Sequence, residues 1–296
     1  MFKNMKSNIN IKKEKKLAFV VDSSIGDNLN IDYIPNVYIV PLTISLDGEE
    51  FLEKKDNNFF LDSFKKGKKI TTSQPNPQSF VKAFKKQLEL GYKHVVCLTI
   101  SKNLSGTFNS ACKAKEILDN SNITVIDTES IGPGIFFTLN KIYKYICNTD
   151  LDYYDIFNKA IKDQKKGMFY FSLEDLKQLK INKRISKLKF FIGNLLKIKP
   201  ILKFHQGIIT IEKNIRSQKN CFLYLIKSIL NFKKNCNKPI EVKLIYVSND
   251  KIVKDLKKEI EKLQDFDINV SIYGSISSII AIHLGSEGFG FYLNEF

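Results

Sequence analysis

The chain has 296 residues, 43% of them hydrophobic, which is enough apolar material for the cores of two domains of ordinary size. Lys and Arg number 47 against 31 Asp and Glu, giving a net charge of +16. Only two of the basic residues are arginines, Arg184 and Arg216, and the lysines are spread along the chain. Because phosphate-reading proteins favour arginine, we interpret most of the charge as a solvated lysine surface and expect no specific nucleic-acid partner.

Several classes of protein are excluded by the apolar and cysteine patterns. No apolar stretch reaches the ~18 residues of a membrane-spanning helix. Residues 1–16 are rich in Lys and Asn and predict a flexible basic arm, and the apolar segment 17–21 is too short for a signal-peptide core. The five cysteines have no CxxC spacing, and their odd number favours free thiols in a reducing compartment. We therefore expect a cytoplasmic protein without a metal site.

Residues 17–150 alternate between strand and helix patterns. Strands are predicted at 17–21, 37–46, 94–100 and 123–126. Helices are predicted at 78–90 and 107–118, a third helix is predicted after Gly132-Pro133-Gly134 up to residue 147, and residues 71–77 are predicted as a loop. The alternation predicts an N-terminal domain with a mainly parallel α/β sheet. In such sheets ligands bind beyond the carboxyl ends of the strands, here the polar loops after the first, third and fourth strands.

Residues 151–296 mix hairpins with helices, which predicts a C-terminal α+β domain. Strands are predicted at 168–171, 199–204, 208–213, 241–247, 268–273 and 289–293. Helices are predicted at 151–165, 186–196, 218–232 and 251–263. A further helix is predicted to run from a Ser172 cap to residue 180, with Asp175 at the capping-box position.

Two polar motifs follow strands in the first half. Asp22-Ser23-Ser24 lacks the second acid that a phosphate-transferring aspartate usually has two residues on, so we favour an Asx-type turn or polar support for a ligand. Thr72 and Ser73 precede two prolines in a stiff loop, for which a loop and a helix cap are sufficient explanation on this motif alone.

A third motif, residues 103–107, places Ser105, Gly106 and Thr107 at a predicted helix start, where free N–H groups favour an anion. It is neither a P-loop nor a GxSxG elbow, so neither a nucleotide nor a nucleophilic Ser105 is indicated. His283 lies in a Gly-rich segment predicted as a turn, where it could approach a ligand, although a lone histidine is more often structural. Arg184 and Arg216, in a lysine-rich chain, are candidates for sites that need a guanidinium.

Taken together, these segments resemble the DegV family, the acyl-binding subunits of bacterial fatty acid kinase. The matching stretches, which cover nearly the whole chain after the basic arm, are FVVDSS (19–24), VPLTISLDGEEF (40–51), TTSQPNP (71–77), ISKNLSGTFNSA (100–111), VIDTES (125–130), KRISK (183–187), LLKIKPIL (195–202), EKNIRSQK (212–219) and IHLGSEGFG (282–290).

The resemblance implies a two-domain fold, residues 17–150 and 151–296, with one long-chain fatty acid such as palmitate or oleate between the domains. It also implies that Thr72, Ser105 and His283 hold the carboxylate, with Ser73, Gly106 and Thr107 in the same loops. Arg216 would face the ATP-binding kinase subunit, and Arg184 would lie at the polar rim. The protein would not itself be an enzyme, and a transient contact with an anionic membrane surface is expected.

The segment around His283 departs from the family pattern. The usual H-T-G-P-G turn reads His-Leu-Gly-Ser-Glu here, and the usual Gly-Gly before Arg-Ile is Asn182-Lys183. Two alternatives of other classes remain. One is a serine hydrolase using Ser105 and His283 with an aspartate such as Asp22 or Asp127. The other is a basic protein that binds nucleic acid through its lysines.

Overall fold

The computed structural model describes residues 17–26, 31–52, 57–174, 176–182, 184–185, 198–285 and 287–295. Several of the predictions concern residues outside these ranges. They are the basic arm 1–16, the helix 186–196 and the capping-box role of Asp175, together with the motif positions Lys183 and Ser286.

Thirteen strands and nine α-helices form the described part of the chain. The strands are β1 (Leu17–Asp22), β2 (Val37–Val40), β3 (Thr43–Leu46), β4 (Glu49–Leu52), β5 (Ile70–Ser73), β6 (His94–Thr99), β7 (Ile123–Asp127), β8 (Met168–Ser172), β9 (Lys199–His205), β10 (Ile208–Ile215), β11 (Ile240–Tyr246), β12 (Ile268–Ser275) and β13 (Phe289–Glu295). The helices are α1 (Asn57–Lys65), α2 (Pro77–Glu89), α3 (Thr107–Leu118), α4 (Gly132–Asn148), α5 (Tyr153–Gln164), α6 (Lys177–Ile181), α7 (Gln218–Lys234), α8 (Lys251–Glu261) and α9 (Ser278–Leu284).

The first sheet is fully parallel, with the strand order β2-β1-β6-β7. All six residues of β1 are buried, as expected for a strand covered by helices on both faces. Ala18 and Val20 pack in one cluster with side chains of α2 and α3, while Phe19 and Val21 face the core that contains α4. The predicted parallel α/β layer is confirmed.

A separate three-stranded antiparallel sheet, in the order β4-β3-β5, was not predicted. The single strand predicted over 37–46 is wrong, because the chain leaves the first sheet at Pro41 and β3 begins at Thr43. Proline has no N–H for a strand ladder, and the next amide, of Leu42, donates to Ser23 Oγ at 2.9 Å instead. The predicted loop at 71–77 is also wrong in its first half, because residues 70–73 pair with β3 as β5.

The second sheet has six strands in the order β10-β9-β8-β13-β11-β12. Adjacent strands in this sheet are antiparallel, except β11 and β12, which are parallel. The predicted α+β fold of the second half is therefore confirmed. Helices α7 and α8 cover one face. The other face contributes side chains such as Phe169 and Leu202 to a core cluster shared with β1, β6 and α4.

The boundary at residue 150 stays a prediction. Sheet membership changes between β7 and β8, and the two helices in between, α4 and α5, pack against each other across residue 150. The shared core shows that the two sheets fold onto one another.

Two local predictions in the second half are wrong. Ser172 ends β8 and caps no helix, and α6 begins at Lys177 after Leu176. The segment predicted as a turn around His283 is helical: α9 begins at Ser278, after Ser277, and ends before Gly285, whose φ is +84°. The glycines therefore follow the helix that carries His283 and do not surround the histidine.

Candidate functional site

A cavity of about 330 Å³ lies where the first sheet's carboxyl edge faces the second sheet and helices α6 and α9. Most of its lining is apolar, from Leu42, Ile100, Leu104, Ile131, Phe171, Leu179, Phe204, Ile209, Ile279, Ile280 and Leu284. The remaining lining is polar or small, from Thr72, Ser73, Gln74, Ser105, Gly106, Arg184 and His283. Such a volume and composition are typical of small-ligand sites.

Thr72 and His283 join the two halves of the molecule directly. Thr72 lies on β5 opposite Ile44 of β3, and its Oγ1 is 2.9 Å from Nε2 of His283 in the last turn of α9. A histidine protonated at Nε2 would donate to Thr72, and the threonine hydroxyl would then keep its own hydrogen for a ligand. His283 Nδ1 is buried and has no hydrogen-bond partner among the residues that the structure describes.

Burial and the nearby charge of Arg184 lower the pKa of His283 to about 4. Both effects act in the same direction, because a charged imidazolium would be desolvated and would stand beside another cation. The ring is therefore neutral at physiological pH and serves as a hydrogen-bonding group.

Ser105 is the last hydroxyl before α3, at the end of the loop that follows β6. Its amide donates to the carbonyl of Ser101 at 3.1 Å, which turns the chain into the helix. Its Oγ is 2.8 Å from Oγ1 of Thr107, and it accepts from the Thr107 amide at 3.3 Å. Thr107 is fully buried and lies behind Ser105, outside the cavity lining. If Thr107 donates, Ser105 retains a hydrogen to offer to a ligand.

Arg184 brings a permanent positive charge to the polar end of the cavity. Its Nε donates to the carbonyl of Leu104 at 3.2 Å and its Nη1 to that of Asn182 at 2.6 Å. These bonds tie the segment after α6 to the loop before α3. Arg184 is the one charged side chain among the described lining residues, and partial burial lowers its pKa, although a guanidinium stays charged.

The Asp22-Ser23-Ser24 motif supports the cavity wall from behind. Asp22 is fully buried and accepts from the Ser24 amide at 3.0 Å, which is the Asx-type turn that the sequence favours. Its other oxygen accepts from the amide of Ile100 at 2.6 Å, and Ile100 lines the cavity. Burial raises the pKa of Asp22 to about 6 against these opposing hydrogen bonds.

The proposed hydrolase residues are not arranged as a triad in the part of the chain that the structure describes. Ser105 Oγ bonds to Thr107, and His283 Nε2 bonds to Thr72. The Asp22 carboxylate accepts from the amides of Ser24 and Ile100. Asp127 Oδ1 accepts from two backbone amides, and its carboxylate lies near Lys102. Nor do the described residues contain a group of three or more metal-ligating side chains.

Arg216 lies away from the cavity. It is exposed, directly after β10, seven residues beyond the lining residue Ile209. At about 3.3 Å per residue this places it on the order of 20 Å along the strand from the lining. Among the described helices none is long and apolar enough to cross a bilayer, and no disulfide joins two cysteines in the described part of the chain.

The structure thus brings together Thr72, Ser73, Ser105, Gly106, Arg184 and His283 at one cavity. Sequence reasoning missed Gln74 as an individual residue and the apolar wall from α9, whose start signal, Ser277-Ser278 before an apolar run, is outweighed by the glycines that follow. Sequence reasoning also missed β4 and α1, because their hydrophobic patterns are short and lie between charged residues.

Comparison with known proteins extends these observations. Residues 16–295 match the DegV family model, described as "Uncharacterised protein, DegV family". A DegV domain-containing protein of Staphylococcus aureus (strain MRSA252) is 29% identical over 287 residues, covering 93% of this chain and 97% of the relative.

Solved structures share the fold. The crystal structure of DegV, a fatty acid binding protein from Bacillus subtilis, has a TM-score of 0.80 at 27% identity and covers 95% of this chain and 100% of that one. A DegV family protein from Thermus thermophilus, described for its fatty acid binding, has a TM-score of 0.84 with the same coverages. Its identity of 24% shows likeness of fold alone.

Proposed function

Since the chain belongs to the DegV family, we propose that it binds one long-chain fatty acid, such as palmitate or oleate, in the cavity between its first and second sheets. The observation that carries this proposal is the distribution of polarity in the lining. Thr72, Ser105, Arg184 and His283 supply hydroxyls, an imidazole and a cation, while the rest of the wall is overwhelmingly apolar.

The energetics of an amphiphile match this distribution. A buried carboxylate needs several hydrogen bonds or a nearby cation, and the polar residues offer both. Burying a chain of about sixteen carbons gains roughly 12 kcal/mol gross, at about 0.8 kcal/mol per methylene. The tail therefore supplies most of the affinity and the carboxylate sets the register of the ligand.

The head group would lie close to the surface. Ser73 and Gln74 line the polar part of the cavity and are themselves exposed, whereas apolar lining residues such as Phe204 and Ile279 are buried. A carboxylate held there is accessible to a second protein. We therefore propose that the protein presents the carboxylate to the ATP-binding subunit of a fatty acid kinase, which forms the acyl-phosphate.

In this role the protein is a substrate-presenting lipid carrier and not an enzyme. It would serve fatty acid metabolism and phospholipid synthesis from the cytoplasm. Transient contact of its lysine-rich surface with an anionic membrane would allow it to collect or return the acid. Arg216, exposed and remote from the cavity, is the proposed contact with the kinase.

Mass spectrometry of an organic-solvent extract of the purified protein tests the proposal. We expect a C14–C18 fatty acid at near-stoichiometric amount in the wild type, and less in a Thr72→Ala/Ser105→Ala variant, which loses two hydroxyls of the polar end. A Ser63→Ala/Thr149→Ala variant, which loses two hydroxyls outside the cavity lining, is the matched control. A wild-type protein without any such acid, which also fails to take up added oleate, contradicts the proposal.

A further inference from the structure

Gln74 makes a side-chain contact that involves none of the proposed carboxylate-binding residues. It follows Ser73 at the end of β5, and its exposed side chain reaches across to the first turn of α3. There its Nε2 donates to Oγ of Ser110 at 3.0 Å, and Ser110 is buried. The side-chain amide thus spans two elements that are far apart in sequence.

Gly106 is the residue that admits this amide. Its φ of −75° is accessible to any residue, so the backbone does not require glycine here. A Cβ at this position, however, would lie 1.8 Å from Gln74 Oε1 and 2.6 Å from Gln74 Cδ. A side chain at Gly106 would therefore displace the amide that lies on it.

This contact joins two chain segments that each carry one hydroxyl of the polar end. Thr72 comes two residues before Gln74 and Ser105 comes one residue before Gly106, on different elements. Each hydroxyl has a partner of its own, His283 for one and Thr107 for the other. The Gln74 contact is a hydrogen-bonded link that runs from the end of β5 to the start of α3.

We propose that Gln74 is a positioning residue, which fixes the spacing of the Thr72 and Ser105 hydroxyls so that both can bind one carboxylate. The inference rests on the proposed function, because it assigns the spacing to a fatty acid head group. A loosened contact leaves the apolar wall intact and affects the head group alone. The distinguishing property is therefore the preference for an acid over an ester with the same tail.

The experiment compares binding of oleate and methyl oleate to delipidated protein. Gln74→Ala is expected to weaken oleate binding about 5- to 10-fold, the worth of one positioning hydrogen bond, and to leave methyl oleate binding unchanged. Ser110→Ala removes the same bond from the other side and is expected to act in the same direction. Gln78→Ala, at an exposed glutamine of α2 outside the cavity lining, is the matched control.

A double variant separates positioning from mere crowding. Gly106→Ala forces the amide away and is expected to weaken oleate binding at least as much as Gln74→Ala. If Gln74 positions the hydroxyls, adding Gln74→Ala to Gly106→Ala relieves the clash but leaves binding no better than Gln74→Ala alone. Recovery of wild-type affinity in the double variant overturns the proposal.

Two further outcomes are decisive. Equal losses for oleate and methyl oleate in Gln74→Ala, or no loss at all, overturn the positioning role while the proposed function stands. A wild-type protein that binds neither ligand, or both equally, rejects the carboxylate site itself. The failure of the two proposals is thereby distinguishable.

Discussion

The surroundings of His283 keep its imidazole neutral across the physiological range. The ring is buried, its Nε2 is 2.9 Å from Thr72 Oγ1, and the nearby charge of Arg184 also lowers its pKa. A neutral ring can share a hydrogen with the threonine hydroxyl, whereas an imidazolium would add a second cation to a partly desolvated pocket. The permanent charge of the site is thus left to Arg184, and the hydrogen-bond geometry to the His283–Thr72 pair.

The stability of the ligand-free protein should report this pKa. The folded-state pKa of about 4 lies below the ordinary value of 6.5, so His283 contributes stability that is fully present above pH 6.5 and is lost as pH falls towards 4. The loss approaches about 3 kcal/mol, at 1.36 kcal/mol per pKa unit.

Urea unfolding of the wild type and His283→Gln at several pH values checks the prediction. Taking the difference between the two proteins cancels other titrating groups, including Asp22, whose raised pKa acts in the opposite direction over pH 4–6. The difference should be constant above pH 7 and shrink towards pH 4. A difference that is constant over the whole range contradicts a buried, neutral His283.

At the scale of elements, the strongly patterned strands and helices were predictable and the short ones were not. β1 and β6 were predicted correctly, because a short continuous apolar run bounded by polar loops is typical of a buried strand. β5 was misread because Thr71-Thr72-Ser73 before prolines has the composition of a loop, and its strand state depends on pairing with β3. The polar residues of the site could be predicted from their sequence motifs. The contact between Gln74 and Ser110 could not, because it depends on how close β5 and α3 lie in the folded chain.

Helix α1 shows how a short, unpredicted element can position the site. It packs against α9, which carries His283. At its start, buried Asn57 donates from Nδ2 to the carbonyls of Val247 and Ile276, at 3.0 and 2.7 Å. Ile276 stands two residues before α9, so this amide fixes where the helix begins.

We expect Asn57→Ala to destabilise the protein by about 2–4 kcal/mol, because two buried carbonyls lose a donor. The measurement is the free energy of unfolding in urea. Asn235→Ala is the matched control, since Asn235 also donates to a backbone carbonyl but is exposed, and its loss should stay below about 1 kcal/mol. Equal losses in the two variants would contradict a structural role specific to Asn57.

At the scale of the whole molecule, the two arginines have separate places. Arg184 lines the cavity, whereas Arg216 is exposed at the far end of β10 from the lining residue Ile209. Composition singled out both arginines by the same argument and could not assign them different places, because strand direction and the position of the cavity are properties of the folded chain. The family resemblance alone implied separate places, with Arg184 at the polar rim and Arg216 facing the kinase subunit.

Arg216→Ala is therefore expected to leave oleate affinity within about twofold of wild type while reducing acyl-phosphate formation by a bacterial fatty acid kinase at least 10-fold, the effect of losing one charged contact at a protein interface. The assay follows ATP-dependent acyl-phosphate production from oleate-loaded protein. Lys219→Ala, a nearby exposed cation, is the control. Loss of oleate binding in Arg216→Ala, or unchanged acyl-phosphate formation, contradicts a role for Arg216 in kinase contact that is separate from fatty acid binding.

The cavity adjoins the largest core cluster among the described residues, since lining residues such as Leu42, Ile100 and Phe171 are members of it. If the proposed function is correct, the bound acyl chain becomes part of the hydrophobic core, although it binds only after the protein has been synthesised. A fatty acid at 100 times its dissociation constant stabilises the fold by about 2.7 kcal/mol. The unloaded chain is then the form most exposed to cellular proteases, so the abundance of this protein should follow the supply of free fatty acid.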